Sequence, residues 1–188
     1  MKKKKGKLFV ISAPSGTGKT TIIKYILKTF PELVFSISVT TRSKRGTEVN
    51  GKDYFFISED EFKDKIENDE FLEWGHFYGY YYGTLKKQVF DHLNNGISMV
   101  LEVDVKGAIN IKSAYSDSVL IFISPPDIDE LKKRLKNRKT ESDSDLKKRI
   151  ERAEMELNYK DIFDYNVYNY NLDDAKKEVT KIIKNELA

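Results

Sequence analysis

The sequence predicts an α/β protein in which helices flank a parallel sheet and a mixed α+β lobe is inserted into the chain. Three observations carry that expectation. Apolar or nearly apolar runs at 8–11, 99–103 and 119–124 are short and unbroken, as in strands covered on both faces. Segments 19–29, 58–68, 85–94, 127–137, 145–158 and 173–187 carry apolar residues at helical spacing and alternate with the strands. The stretch from about 35 to 90 differs, holding short strands, many tyrosines and several glycines.

Taken in order, the 8–11 run is a buried strand leading into a glycine-rich turn, and the 19–29 helix follows. Strand-like runs at 35–39 and 54–57 belong to the inserted lobe. Ser58 and Glu61 form a capping box that starts the next helix. Asp127 and Asp173 are placed to cap two later helices. The last strand is 166–170. Residues 136–145 are polar and charged between two helices and read as a lid. The core therefore covers about 6–34, 97–135 and 159–188, the lobe about 35–96 and the lid about 136–158. There is no internal repeat.

The chain of 188 residues is long enough for one compact domain with inserted lobes, and 39% of it is hydrophobic. Charged residues make up 34%, yet the net charge is only +3, so no basic face is predicted and nucleic acid is not an expected partner. The run Lys2–Lys5 reads as a solvated terminus. There is no cysteine, hence neither a disulfide nor a thiolate metal site. No apolar stretch approaches the ~18 residues of a membrane span. The short apolar segment after the lysines runs into the glycine-rich turn instead of forming a signal peptide. A cytoplasmic protein with no membrane partner is expected, as a monomer or a homodimer.

Residues Ala13, Pro14, Ser15, Gly16, Thr17, Gly18, Lys19 and Thr20 meet the pattern G-x-x-x-x-G-K-[ST] except at Ala13, which replaces the first glycine. Gly16 and Gly18 allow successive N–H groups to face one anion, and Lys19 adds a point charge near the β- and γ-phosphates. The Thr20 hydroxyl can reach Mg²⁺, and the helix beginning near Lys19 adds its positive dipole end. Alanine needs negative φ, so Ala13 is not expected in a left-handed conformation.

A second constellation lies in the lobe. Ser38, Thr40, Thr41, Arg42 and Arg45 are followed by Gly51, Tyr54 and Phe56, then Glu73 and Trp74, then Tyr81, Tyr82, Gly83 and Thr84. Together they supply two forked cations, phenol and alcohol donors and a carboxylate, all within the inserted lobe. Arginine forks match a phosphate dianion better than lysine does. Tyr78, Tyr80 and Tyr81 read as lobe packing and Trp74 as core, while His76 and His92 lack a partner cluster and read as structural or surface residues.

Over about residues 7–183 the chain resembles guanylate kinases, through the phosphate loop, Thr40-Thr41-Arg42-x-x-Arg45, Gly51-x-x-Tyr54-x-Phe56, Glu73 and Tyr81-Tyr82-Gly83-Thr84. The resemblance implies a P-loop NTPase-type parallel sheet flanked by helices, with an inserted nucleotide-monophosphate-binding lobe and a helical lid. It implies transfer of the γ-phosphoryl group of ATP to GMP, with dGMP a further acceptor and Mg²⁺ bound with ATP. ATP would meet residues 13–20, Thr21, Arg134, Arg138 and Asn169. The GMP phosphate would meet Arg42, Arg45, Tyr54 and Tyr82. Ser38, Glu73 and Thr84 would read the guanine, with Glu102 and Asp104 nearby. Lys19, Arg42, Arg138 and Arg149 would carry catalysis. Glu102 stands where the family often has Asp, and Tyr170 follows Asn169 where the family commonly shows Asp.

Guanine presents N1–H and N2–H₂ on one edge, and a carboxylate at Glu73 can accept both, whereas adenine places a bare acceptor there. The acceptor is a phosphate with a second pKa near ~6, so no general base is needed at neutral pH. Three rival readings are a non-catalytic guanylate-kinase-like interaction module, a kinase for another monophosphate and a nucleotide-hydrolysing switch. The intact Lys19, Thr20, Arg42 and Arg138 oppose the first. Ser38, Glu73 and Thr84 oppose the second. The third draws on Asp104-x-x-Gly107 but lacks an Asn-Lys-x-Asp guanine signature.

Overall fold

The computed structural model describes residues 4–77, 79–136 and 143–188. In chain order the elements are β1 (Leu8–Ser12), α1 (Lys19–Thr29), β2 (Val34–Phe35), β3 (Val39–Thr40), β4 (Phe55–Phe56), α2 (Glu59–Glu67), β5 (Phe71–Phe77) and β6 (Tyr80–Leu85). Then come α3 (Lys86–Asn94), β7 (Met99–Glu102), α4 (Val105–Ala114), β8 (Val119–Ser124), α5 (Ile128–Lys136), α6 (Asp143–Leu157), β9 (Tyr165–Tyr168) and α7 (Leu172–Leu187).

Five strands form a parallel sheet in the order β2-β7-β1-β8-β9. Every residue of β1 is buried, which explains its unbroken apolar run. The strand period of two sends alternate side chains into two cores. Phe9 and Ile11 pack with Ile22 and Ile26 of α1 and Val179 and Ile183 of α7. Leu8 and Val10 pack with Val89 and Leu93 of α3 and Ala108 and Ile111 of α4. Each of the larger side chains here, Ala108 aside, contributes roughly 1.5–3 kcal/mol by leaving water.

The lobe is a second, four-stranded sheet of order β4-β3-β6-β5, mixed in direction and covered by α2. Phe62 of α2 is fully buried, stacked on Phe71 at 4.3 Å and near Tyr81 at 5.2 Å. Helix α2 begins as the capping box predicts, with the Glu61 N–H donating to Ser58 Oγ at 3.1 Å. Helices α5 and α6 pack through Leu131, Leu135 and Ala153, with Ile150 partly buried against them.

Several expectations change. The run 35–39 is two strands in two sheets: β2 pairs with β7, and after Phe35 the chain crosses to pair β3 with β4 and β6. An extended apolar pattern does not reveal which sheet a strand joins. The hairpin β5–β6 is not among the expected strands, because Phe71–Phe77 and Tyr80–Leu85 show no strict apolar–polar alternation in sequence and its turn is signalled only by Gly79, at φ 82°. Helix α4 is not among the expected helices; Asp104 caps it, Oδ1 accepting the Gly107 N–H at 2.8 Å. The cap of α7 is Asn171, not Asp173; Asn171 Oδ1 accepts the Asp173 N–H at 2.8 Å. Trp74 is 43% exposed and not core, since it lies on the polar phase of β5.

Candidate active site

The phosphate loop joins β1 to α1 at the carboxyl edge of the parallel sheet, where ligands gather in open α/β folds. Gly16 and Gly18 have φ of 89° and 85°, conformations that glycine takes without strain. Ala13 is not among the residues at positive φ, as expected. The loop is braced from within, since Thr17 Oγ1 donates to the Pro14 carbonyl at 2.8 Å. It is also braced from the sheet edge, since the buried Asn169 side-chain amide donates to the Thr17 carbonyl at 2.7 Å.

A cavity of about 330 Å³ opens on this loop. Ala13 to Gly16, Gly18 to Thr21 and Arg149 line it, with Glu102 and Asp104 from the end of β7. Lys19 Nζ lies 3.4 Å from the Val103 carbonyl and 3.7 Å from Glu102 Oε1. Thr20 Oγ1 donates to the same carboxylate at 3.3 Å.

A second cavity, of about 480 Å³, lies between the parallel sheet and the lobe. Ser38, Tyr54, Glu73 and Tyr82 line it, together with Phe77 and Asp53. The two cavities share Ser15, Lys19, Glu102, Asp104 and Arg152, so they are two halves of one cleft with Lys19 at the junction.

Glu73 reaches that cleft through an irregularity. β5 and β6 pair regularly up to Tyr80, but between Phe71 and Glu73 the register shifts. A regular ladder would set Leu72 opposite Thr84 after the Phe71–Leu85 pair; the bulge sets Glu73 there instead and leaves Leu72 in the main core. Thr84 Oγ1 then donates to Glu73 Oε1 at 2.6 Å. Gly107 leaves room for the carboxylate, since a Cβ there would stand 2.9 Å from Glu73 Oε2. Burial raises the Glu73 pKa to about 7; the Thr84 hydrogen bond opposes this, and the nearby Asp104 charge adds to it.

Arg42 is 6% exposed and held by a fork: Nη1 and Nη2 donate to Glu48 at 2.9 and 2.8 Å, and Nη1 also donates to the Ser43 carbonyl at 2.8 Å. Glu48 is lowered to about 2 by Arg42 and by the Arg45 backbone N–H. The guanidinium sits 5.2 Å from the centre of the Tyr54 ring, and Tyr82 packs edge-on to Tyr54.

The family model for guanylate kinase matches residues 5–186. The chain belongs to the guanylate kinase family. A guanylate kinase of Thermotoga maritima is 49% identical over 184 residues, covering 98% of this chain and 89% of that one. One from Caldanaerobacter subterraneus is 48% identical, covering 96% and 88%. The crystal structure of guanylate kinase from Anaplasma phagocytophilum superposes with a TM-score of 0.80 at 29% identity, over all of this chain and 89% of that one.

Of the residues the guanylate kinase resemblance implies, the structure brings Lys19, Thr20, Ser38, Tyr54, Glu73, Tyr82, Glu102, Asp104 and Arg149 to the cleft. Thr84 stands buried behind Glu73, and Arg42 behind Tyr54 and Tyr82. Arg45 is exposed, and its backbone rather than its guanidinium meets Glu48. Arg134 pairs with Glu130 at 3.0 Å and does not line either cavity. Arg138 and most of the 136–145 stretch lie outside the described residues. Asn169 meets the phosphate loop, while Tyr170 is 71% exposed and stacked with Tyr168. Sequence reasoning missed Arg152, which lines both cavities; its signal was the helical spacing that puts it one turn from Arg149.

Proposed function

We propose that the protein transfers the γ-phosphoryl group of ATP to GMP, giving ADP and GDP, with dGMP as a further acceptor. The observation that carries the proposal is the shared wall. A phosphate loop opens on one side of it, the Glu73–Thr84 pair stands on the other, and Lys19 lies between. The donor phosphates are held by the loop N–H groups and Lys19, and the transferring charge is met by Lys19 and Arg149. Three of the five N–H donors of Arg42 go to Glu48 and Ser43, and Tyr82 hydrogen-bonds to the same guanidinium, so Arg42 and Tyr82 would meet the acceptor phosphate together. The ionised acceptor phosphate attacks without a protein base.

Mg²⁺ fits the donor side, where the Thr20 hydroxyl and the Glu102 carboxylate are hard oxygen donors 3.3 Å apart. These two residues would hold the ion, whose chemistry there is to neutralise charge on the phosphates.

A non-catalytic scaffold has no use for a braced phosphate loop with its lysine at the mouth of a second cavity. The test is coupled ADP release with GMP, dGMP, AMP, CMP and UMP in turn, alongside Lys19→Ala. GMP should be the preferred acceptor, and Lys19→Ala should lower kcat by at least about a hundredfold with an unchanged circular dichroism spectrum. Preference for another monophosphate, or near-parental turnover by the variant, would refute the proposal.

A further inference from the structure

Arg152 stands on helix α6, one turn beyond Arg149 on the same face. Among the described residues its guanidinium touches three parts of the molecule at once. Nε donates to Glu156 Oε1 on its own helix at 2.8 Å. Nη2 donates to Asp104 Oδ2, at the cap of α4, at 3.1 Å. Its plane lies over the ring of Phe77, in β5 of the lobe, 4.6 Å from the ring centre. Arg152 therefore joins helix α6, the parallel-sheet core and the acceptor lobe through one side chain.

The charge balance of the second cavity gives this contact a purpose. Four carboxylates line that cavity, Asp53, Glu73, Glu102 and Asp104, against two cations, Lys19 and Arg152. Lys19 lies toward Glu102 and the phosphate loop. Asp104 divides its oxygens, Oδ1 capping α4 through Gly107 and Oδ2 taking Arg152. Gly107 in turn packs against both Asp104 and Glu73. An anionic acceptor entering this space meets less repulsion, and better-aimed carboxylates, while Arg152 holds Asp104.

We propose that Arg152 is a positioning residue of the acceptor site, fixing Asp104 beside Glu73 and fastening helix α6 to the acceptor lobe through Phe77. The inference rests on the ATP:GMP reading above. It assigns Arg152 no contact with the reacting atoms.

The experiment is steady-state kinetics on the full chain for Arg152→Met and Arg152→Lys, varying GMP and ATP separately, with melting temperatures alongside. Met keeps the apolar stem over Phe77 and removes the charge, while Lys keeps a charge for Asp104 without the flat fork. Loss of a partly exposed charge-assisted bond predicts a GMP KM raised about tenfold in Arg152→Met, with a smaller rise in Arg152→Lys. The ATP KM should move less, because Phe77 and Glu73 line only the acceptor cavity, whereas Asp104 and Arg152 border both. A merely structural role would lower the amount of active protein, and so kcat, while leaving the GMP KM unmoved. A GMP KM within about twofold of the parent in both variants overturns the inference, since a charge-assisted bond is worth more than that. The parent's own transfer to GMP scores the functional reading separately, and its failure would remove both.

Discussion

At the scale of single residues, Glu73 sets the most direct pH expectation. Burial lifts its pKa to about 7, so the side chain is partly protonated at neutral pH. A protonated carboxyl cannot accept both N–H donors of a guanine edge. GMP affinity should therefore rise as pH climbs through about 7 and level off above it. The acceptor phosphate titrates nearby, near ~6, and Glu73→Gln separates the two: titration calorimetry from acid to mildly alkaline pH should show the step near 7 lost in the variant. Persistence of that step would clear Glu73 of the role. The stability sign runs the other way. An acid whose pKa is raised by folding binds its proton more tightly in the folded state, so this group favours folding less as pH rises from the ordinary range through about 7. Lys19 is legible in the sequence because it sits in a dense local motif, and Glu73 only through the family pattern. Arg152 is not legible, because its role arises where α6 meets two partners far away in sequence, Asp104 and Phe77.

At the scale of elements, the short segment after β9 does more than end the sheet. The Asn169 backbone N–H donates to the Ser124 carbonyl at 2.8 Å, and its side chain reaches back to the phosphate loop at Thr17. A Cβ at Gly18 would stand 3.1 Å from that amide, so loop and clamp fit closely. Asn169→Ala should strip a buried carbonyl of its partner and cost about 1–3 kcal/mol, read by urea denaturation, together with a raised ATP KM. An ATP KM equal to the parent's would confine Asn169 to stability alone. The sequence pointed to Asn169 through the family pattern, but not to the partner it meets. The long helices and fully buried strands were legible because their periodicity is strong, whereas the break after Phe35 and the bulge before Glu73 were not. Neither changes the local pattern of apolar residues; both depend on which distant strand supplies the hydrogen bonds.

At the scale of the whole molecule, a sheet of parallel strands, a lobe with its own small core and a helical pair converge on one cleft. The alternation of strands and helices was enough to anticipate the flanked sheet, and the change of composition after residue 35 was enough to anticipate the lobe. Strand order was not legible, and it has a consequence for how the chain comes off the ribosome. β1 is the central strand, yet Leu8 pairs with Met99 and Phe9 with Val119. The residues made first must wait for partners made much later, and such long-range pairing is slow to establish. In chains stalled at increasing lengths, Lys24 and Lys28 of α1 should stay open to trypsin until β8 has emerged; protection before β7 emerges would refute this. The phosphate loop is thus synthesised before the lobe and lid that complete its cleft, and is among the last of them to take shape. Through that interval the apolar run from Leu8 to Ile11 is uncovered, which makes this nascent strand a place for a chaperone to act.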